Sequence, residues 1–302
     1  MDKPLRNFMK MGTIAFMSYP SIMGGEGDIL GSLEKIARDD FFEAIEITWI
    51  KDPAVRAKAA KLLKESGLTV AYGAQPRLLT TGYNINHLDK TERQKALDTL
   101  KAGIDEACEM GAVGFGFLSG KYEEATKSDS FEALVESTSE LCRYAKSKGD
   151  MRVALEVFDF DVDKKSIIGP AALAAKFAER MRKQFDNFGL MVDLSHIPLL
   201  HETIEESILP VKDYIVHAHI GNAVTIPGCD AYGDAHPRFG FPNSANGVGE
   251  LAAYFRLLIK IGYLNEKNPP ILSFEVKPFG DEDPELVIAN TKRVINRAWA
   301  MV

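Results

Sequence analysis

Short apolar runs alternate with longer amphipathic stretches eight times along the 302-residue chain. Such runs between turn signals are typical of buried strands, whereas apolar positions at a spacing of three and four indicate helices. We therefore predict strands over residues 13–17, 44–48, 69–73, 112–118, 152–157, 189–193, 213–219 and 270–275. The helices predicted between and after them cover residues 28–38, 52–67, 90–110, 130–148, 169–185, 202–209, 249–261 and 284–301.

Strands that alternate with helices require crossover connections, and these build a parallel sheet. Eight such units in a chain of 302 residues favour a (β/α)8 TIM barrel. An open, doubly wound sheet is the alternative. No linker or change of composition divides the sequence, so we predict one domain over residues 1–302.

Polar side chains end the last four predicted strands: Glu156, Asp193, His219 and Glu275. Taken singly, each could cap a helix or pair with a lysine. In a barrel, however, the carboxyl ends of the strands surround one point, whereas in an open sheet they lie along a line. Three carboxylates and an imidazole at one point suit a divalent cation with open positions, Mn²⁺ first, with Mg²⁺, Co²⁺ or Zn²⁺ possible.

Two further histidines accompany this set. His196 follows Asp193 by three residues and is a candidate for substrate contact, for a second metal or for supporting a metal ligand. His217 precedes His219 by two residues and therefore points to the same strand face. We expect His217 to lie one layer deeper in the barrel, oriented by a carboxylate.

A long loop over residues 221–247 follows strand seven and carries Asp234, His236 and Arg238. A loop of this length in a compact domain is usually functional, so these residues are candidates for contacts with substrate hydroxyls or for proton transfer. Lys277, two residues after strand eight, and Trp49, after strand two, are further candidates for substrate binding.

Composition narrows the classes of function. The formal charge of −7 and the pI near 5.5 argue against a nucleic-acid partner. Three cysteines without CxxC spacing suggest neither a disulfide framework nor a structural zinc site. No apolar stretch resembles a secretory signal or a membrane span, so we expect no membrane partner and a cytoplasmic location.

The motifs at the strand ends resemble the xylose isomerase-like TIM barrel superfamily. They are Leu155-Glu156, 193-DLSH-196, 217-HAH-219 and 273-SFEVKP-278. The superfamily includes ketose 3-epimerases, inosose dehydratases, hydroxypyruvate isomerases and the AP endonuclease family 2 enzymes. The resemblance implies that Glu156, Asp193, His219 and Glu275 hold one divalent metal.

By resemblance to the epimerase branch, Glu156 and Glu275 also exchange a substrate proton from opposite faces. His196 and His236 are further candidates for catalysis because of their positions after strand six and in the long loop. The implied function is a metal-dependent isomerase or epimerase that abstracts a proton next to a metal-bound carbonyl of a keto-sugar, through an enediolate. The alternative is a lyase, either an inosose-type dehydratase or a deglycosidase that eliminates the aglycone from a 3-oxo-glycoside. The long loop after strand seven keeps this alternative open. Besides the substrate, the partners that we consider are a second copy of the chain in a homo-oligomer and a different partner subunit.

Overall fold

Eight parallel strands form the centre of the molecule, which is described here for residues 3–302 by a computed structural model. Residues 1 and 2 of the predicted domain lie outside this range. The strands are β1 (Lys10–Thr13), β2 (Ala44–Ile47), β3 (Thr69–Gly73), β4 (Gly114–Leu118), β5 (Arg152–Glu156), β6 (Phe188–Asp193), β7 (Ile215–Gly221) and β8 (Ile271–Glu275).

Each strand pairs with the next along the chain, and β8 returns to pair with β1. The remaining seam, between β1 and β2, is bridged where Glu43 N donates to Met11 O at 2.8 Å and where Ile14 pairs with Glu46. The sheet is therefore a nearly closed barrel. The predicted (β/α)8 fold is confirmed, and the open-sheet alternative is wrong.

A ring of helices surrounds the barrel. They are α1 (Ala15–Ser18), α2 (Ile29–Ala37), α3 (Pro53–Ser66), α4 (Gln75–Leu79), α5 (Lys90–Glu109), α6 (Lys127–Lys148), α7 (Ala171–Arg182), α8 (Ile204–Ile208), α9 (Val248–Lys260) and α10 (Pro284–Ala300). None of the helices within residues 3–302 combines the length and the apolar character needed to cross a membrane.

Local chemistry explains where the long helices begin. Asp52 precedes α3 and accepts hydrogen bonds from the backbone N–H groups of Ala54 and Val55, with Pro53 in the first turn. Asp89 caps α5 in the same way. These carboxylates satisfy N–H groups that have no partner within the helix, so the helix starts are fixed by the sequence itself.

The apolar core lies between the barrel and the helix ring. Phe115 and Phe117 of β4 point outward and are fully covered, and the ring of Phe177 in α7 meets that of Phe188 in β6 at 5.7 Å between centroids. Each such side chain contributes about 1.5–3 kcal/mol by leaving water. The inward positions of the strands are thereby free to carry small and polar residues.

The first predicted strand is wrong in position. The strand runs over Lys10–Thr13, and the apolar residues after it form α1, because Ser18 N and Tyr19 N donate to Ile14 O and Ala15 O. A short buried apolar run does not distinguish strand from helix. Strand seven is shifted too: residues 213 and 214 belong to a 3₁₀ turn, and β7 continues two residues past His219. The short helix α4 was not predicted.

Candidate active site

Four polar side chains meet at the C-terminal end of the barrel. Glu156, Asp193 and Glu275 are the last residues of their strands, and His219 lies opposite Asp193 in the register of β6 and β7. One nitrogen or oxygen atom from each of the four lies within 4.8 Å of the others. The structure thus brings together the four residues that the sequence pointed to.

The distances centre on one nitrogen of the imidazole. His219 Nδ1 lies 3.0 Å from Glu275 Oε2, 3.5 Å from Glu156 Oε1 and 4.0 Å from Asp193 Oδ2. All four side chains are buried; even Glu275, the most accessible, is only 9% exposed. Several carboxylates held together away from water repel each other unless a positive charge compensates them.

Glu156 Oε1 and Asp193 Oδ2 have no hydrogen-bond partner among residues 3–302, and His219 Nδ1 makes no aligned hydrogen bond although it lies 3.0 Å from Glu275 Oε2. Buried polar atoms are normally paired, so three unpaired atoms that face one another indicate a missing ligand. Their chemistry, two carboxylate oxygens and an imidazole nitrogen, matches the donors that bind divalent cations. The residues present therefore fit a metal ion.

The second carboxylate oxygen of Glu156 and that of Asp193 each accept a hydrogen bond that holds the side chain in place. Gln75 Nε2 donates to Glu156 Oε2 at 2.6 Å, and Ser195 N donates to Asp193 Oδ1 at 2.6 Å. These bonds fix the orientation of the carboxylates so that their free oxygens point to the centre of the cluster.

Glu46 of β2 orients His219 from below. Its Oε1 accepts hydrogen bonds from His219 Nε2 at 3.0 Å and from His217 Nε2 at 2.7 Å. Burial alone would raise the pKa of Glu46, but the two imidazoles outweigh burial and hold it well below its ordinary value. The expectation that a carboxylate orients His217 is confirmed. A carboxylate behind a histidine is a common arrangement at metal sites.

The pKa of His219 shows how strongly the cluster attracts positive charge. Burial would lower this pKa, but Glu46, Glu156 and Glu275 outweigh burial and raise it well above the ordinary value. Burial raises the pKa of Glu275. The rise in the pKa of His219 expresses an excess of buried negative charge, and the rise in the pKa of Glu275 expresses the cost of burying that charge. A cation would relieve both.

A second polar cluster adjoins the first. Asp234 Oδ1 lies 2.8 Å from His236 Nε2 and 3.1 Å from His196 Nε2, and Asp234 Oδ2 lies 2.8 Å from Lys164 Nζ. His236 Nδ1 reaches to 4.0 Å from Asp193 Oδ2. The loop after β7 is therefore anchored by Asp234 and His236 against the first cluster, which consists of Glu156, Asp193, His219 and Glu275 and is called the metal-type cluster below.

The second cluster is rich in proton donors. Burial would lower the pKa of both imidazoles, but Asp234 and the neighbouring acids raise that of His196 to about 10 and that of His236 to about 9. Burial would raise the pKa of Asp234, but its three cationic neighbours hold it well below the ordinary value. This arrangement provides imidazolium groups next to buried carboxylates.

A cavity of about 170 Å³ opens over the first cluster. Its wall contains predicted site residues and several apolar side chains, namely Glu156, His219, Asp234, His236, Glu275, Lys277, Ile14, Phe16, Met17, Met23, Leu79 and Phe158. Polar groups at the base and apolar groups on the side are typical of sites for small organic molecules.

Three of the residues predicted to bind substrate lie outside this wall, as does the predicted metal ligand Asp193. The indole Nε1 of Trp49 donates to Met23 O at 3.0 Å, and Arg238 Nε pairs with Glu282 Oε1 at 2.7 Å. His196 lies behind Asp234, and its Nδ1 is 2.9 Å from Val157 O. Their roles toward a substrate stay predictions.

Sequence reasoning assigned no role to three contributors to the site, Lys164, Gln75 and Glu46. Lys164 belongs to the loop after β5 and nothing in its surroundings along the chain marks it. Gln75 was visible only as a polar residue past the end of strand three, because its contact with Glu156 joins residues 81 positions apart. The position of Glu46 in the middle of β2's apolar run was a signal that could have been used.

Comparisons with known proteins agree with the geometry. The family model of the xylose isomerase-like TIM barrel matches residues 35–296, and the chain belongs to this family. No curated protein matches the chain in sequence.

Solved structures share the fold at low identity. A D-tagatose 3-epimerase-like protein is 18% identical, with 97% of this chain and 98% of that chain covered and a TM-score of 0.73. An L-ribulose 3-epimerase is 20% identical, with 97% and 96% covered and a TM-score of 0.72. The 3-keto-D-glucoside 4-epimerase YcjR from E. coli is 15% identical, with 95% and 99% covered and a TM-score of 0.66.

Proposed function

We propose that the chain is a divalent-metal-dependent isomerase or epimerase of a keto-sugar. The observation that carries the proposal is the set of unpaired buried atoms, Glu156 Oε1, Asp193 Oδ2 and His219 Nδ1, beside a cavity whose wall includes Glu156 and His219. Glu275 completes the set from β8. Membership of the xylose isomerase-like family and the epimerases among the structural relatives support the choice of a sugar.

Glu156, Asp193, His219 and Glu275 would hold the cation. The carboxylate-rich donor set favours Mn²⁺, with Mg²⁺, Co²⁺ and Zn²⁺ as other candidates. When bound, a divalent cation polarises a carbonyl group and makes the neighbouring C–H more acidic. Hydrogen bonds with Gln75 and Glu46 fix the orientation of two of the ligands, Glu156 and His219.

Two carboxylates reach the cavity from different parts of the barrel. Glu156 ends β5 and Glu275 ends β8, with β6 and β7 between them in the sheet. In the proposed reaction one carboxylate accepts the proton from the C–H group and the other returns a proton to the opposite face, which inverts that carbon. Return of the proton to the adjacent carbon would give isomerisation.

The polar residues of the cavity wall would orient the sugar. His236, Asp234 and Lys277 line the cavity and present groups that bind hydroxyls. The side chains of Phe16 and Phe158 contribute apolar surface to the same wall. Arg238 and Trp49 would contribute only after movement of a side chain.

The direct test is exchange of substrate hydrogen with solvent. The protein with Mn²⁺ is incubated in D₂O with D-tagatose, L-ribulose or a 3-keto-glucoside, and proton NMR follows loss of the C–H signal next to the carbonyl. We expect exchange with at least one sugar, and its abolition by a chelator. Glu156→Gln should slow exchange by about 10²-fold or more, since a carboxylate is lost from proton transfer.

Glu205→Gln provides the matched control, because Glu205 is exposed and far from the cluster in α8. It should exchange at the wild-type rate. Absence of exchange with every keto-sugar tested, or equal rates in Glu156→Gln and the wild type, contradicts the proposal.

A lyase is the second candidate, and the cluster around Asp234 favours it. His236 lies in the cavity wall, and its Nε2 lies 2.8 Å from Asp234 Oδ1. Such a group could protonate an oxygen that leaves from the carbon next to the acidified C–H, as water or as an aglycone. Release of water from an inosose or of aglycone from a 3-oxo-glycoside supports the lyase; exchange without release supports the epimerase.

A further inference from the structure

A second cavity of about 560 Å³ occupies the N-terminal end of the barrel, opposite the metal-type cluster. Its mouth is formed by the first residues of six strands, which are Lys10, Thr69, Gly114, Arg152, Ile215 and Ile271. The segment between α9 and β8 closes one side of it. In (β/α)8 barrels this end usually serves stability and is filled by side chains.

The cavity exists because the inward positions here are small. Ala71, Gly114, Gly116 and Ala154 line it, where branched apolar residues fill most barrels. Gly114 is the clearest case, since a Cβ atom added there would meet nothing within 4 Å. The cavity therefore extends inward from the N-terminal mouth as far as the side chains of Met191, Glu46 and His217.

Positive charge lines the mouth. Lys10, Arg152 and Lys212 all contribute to the wall, and within residues 3–302 none of them makes an ion pair. Lys10 Nζ donates instead to the hydroxyl of Thr69 at 3.1 Å. Unpaired cations around one cavity, in a chain with a net charge of −7, form a local binding surface for an anion.

The inner end of the cavity carries a polar group without a partner. His217 is 7% exposed and lines the cavity, and its Nε2 donates a hydrogen bond to Glu46 Oε1. Its Nδ1 has no hydrogen-bond partner in the described chain and can accept a hydrogen bond from a ligand hydroxyl. Among the described residues 3–302, Glu46 is the only carboxylate in the wall, and it is already paired with two imidazoles.

We propose that the N-terminal cavity is a second binding site, for a small hydroxylated organic anion with a carboxylate or phosphate group. The anionic group binds Lys10, Arg152 and Lys212 at the mouth, and a hydroxyl group donates to His217 Nδ1. The site is separate from the proposed function and does not depend on it. Because Glu46 holds both His217 and His219, the two ends of the barrel share one carboxylate.

Isothermal titration calorimetry in Tris–chloride buffer tests the site with two probes, glycerol 3-phosphate and malate. We expect saturable binding of at least one probe with one site per chain, and the tighter probe identifies the preferred anion. Arg152→Gln should weaken binding about tenfold, since it removes a charge-assisted contact. Gly114→Leu should abolish binding, because its side chain occupies the open space.

Two control variants show whether the anion binds in this cavity and not elsewhere on the molecule. Asp193→Asn alters the metal-type cluster and should leave the affinity within about twofold of the wild type. Lys58→Gln removes an exposed cation elsewhere, in α3, and should also bind normally. Thermal unfolding checks that Gly114→Leu is folded; if it is not, Arg152→Gln decides. Absence of saturation by both probes, unchanged affinity in Arg152→Gln, or loss of binding in Asp193→Asn overturns the proposal.

Discussion

Replacement of Glu46 by glutamine tests how the barrel interior supports the metal-type cluster. Glu46 accepts two imidazole hydrogen bonds, at 2.7 Å from His217 and at 3.0 Å from His219. Glutamine keeps the shape and one acceptor oxygen but removes the charge. A hydrogen bond to a charged acceptor is about twice as strong as a neutral one, so the bond to His219 loses about 1–1.5 kcal/mol.

That loss appears in metal affinity, since His219 becomes a weaker and less well oriented donor. We expect Glu46→Gln to weaken Mn²⁺ binding about tenfold, within the range known for residues that support metal ligands. Titration calorimetry of the two proteins with Mn²⁺ measures the difference. Glu106→Gln is the matched control, because Glu106 is also a largely buried carboxylate, paired with Arg77 away from the cluster. Equal Mn²⁺ affinity in Glu46→Gln and wild type refutes the reasoning, as does equal weakening in the control.

Further predictions concern the cluster and the scaffold around it. Mn²⁺ at a hundredfold excess over its Kd should raise the free energy of unfolding of the wild type by about 2.7 kcal/mol; Asp193→Asn should lose this gain in thermal unfolding, and an equal gain would contradict the ligand assignment. Gln75→Ala leaves Glu156 Oε2 without its donor, so we expect kcat to fall about tenfold with KM little changed, whereas unchanged kcat would show that the donor is dispensable. Arg77→Leu breaks the buried pair with Glu106 and should lower the free energy of unfolding by about 2–4 kcal/mol in urea titrations; a change near zero would mean that the pair contributes nothing.

The sequence was sufficient for the fold because its signals are local. Helix caps such as Asp52 and Asp89 and the repeated apolar runs mark eight units without knowledge of their contacts. The first strand was predicted too far along the chain, over residues 13–17, because the more apolar run follows Lys10–Thr13, which contains a lysine and a glycine. Lys10 lines the N-terminal cavity, and a Cβ atom on Gly12 would lie 2.5 Å from Ser273 Oγ, so the barrel interior requires this polar and small character.

The site was predictable only in part. Glu156, Asp193 and Glu275 were visible because each closes an apolar run, and parallel strands bring such ends together. Lys164 and Gln75 were not, because their roles depend on the paths of loops after β5 and β3. The contact between Glu46 and the two histidines joins β2 to β7, so the identity of the orienting carboxylate depends on the closed barrel and not on neighbours along the chain.

A crystal structure with Mn²⁺, with anomalous diffraction at the manganese edge, tests the central claim most directly. We predict one strong peak between Glu156, Asp193, His219 and Glu275, with a donor atom of each at roughly 2.0–2.4 Å. A peak in another place, or none at millimolar Mn²⁺, would contradict the account.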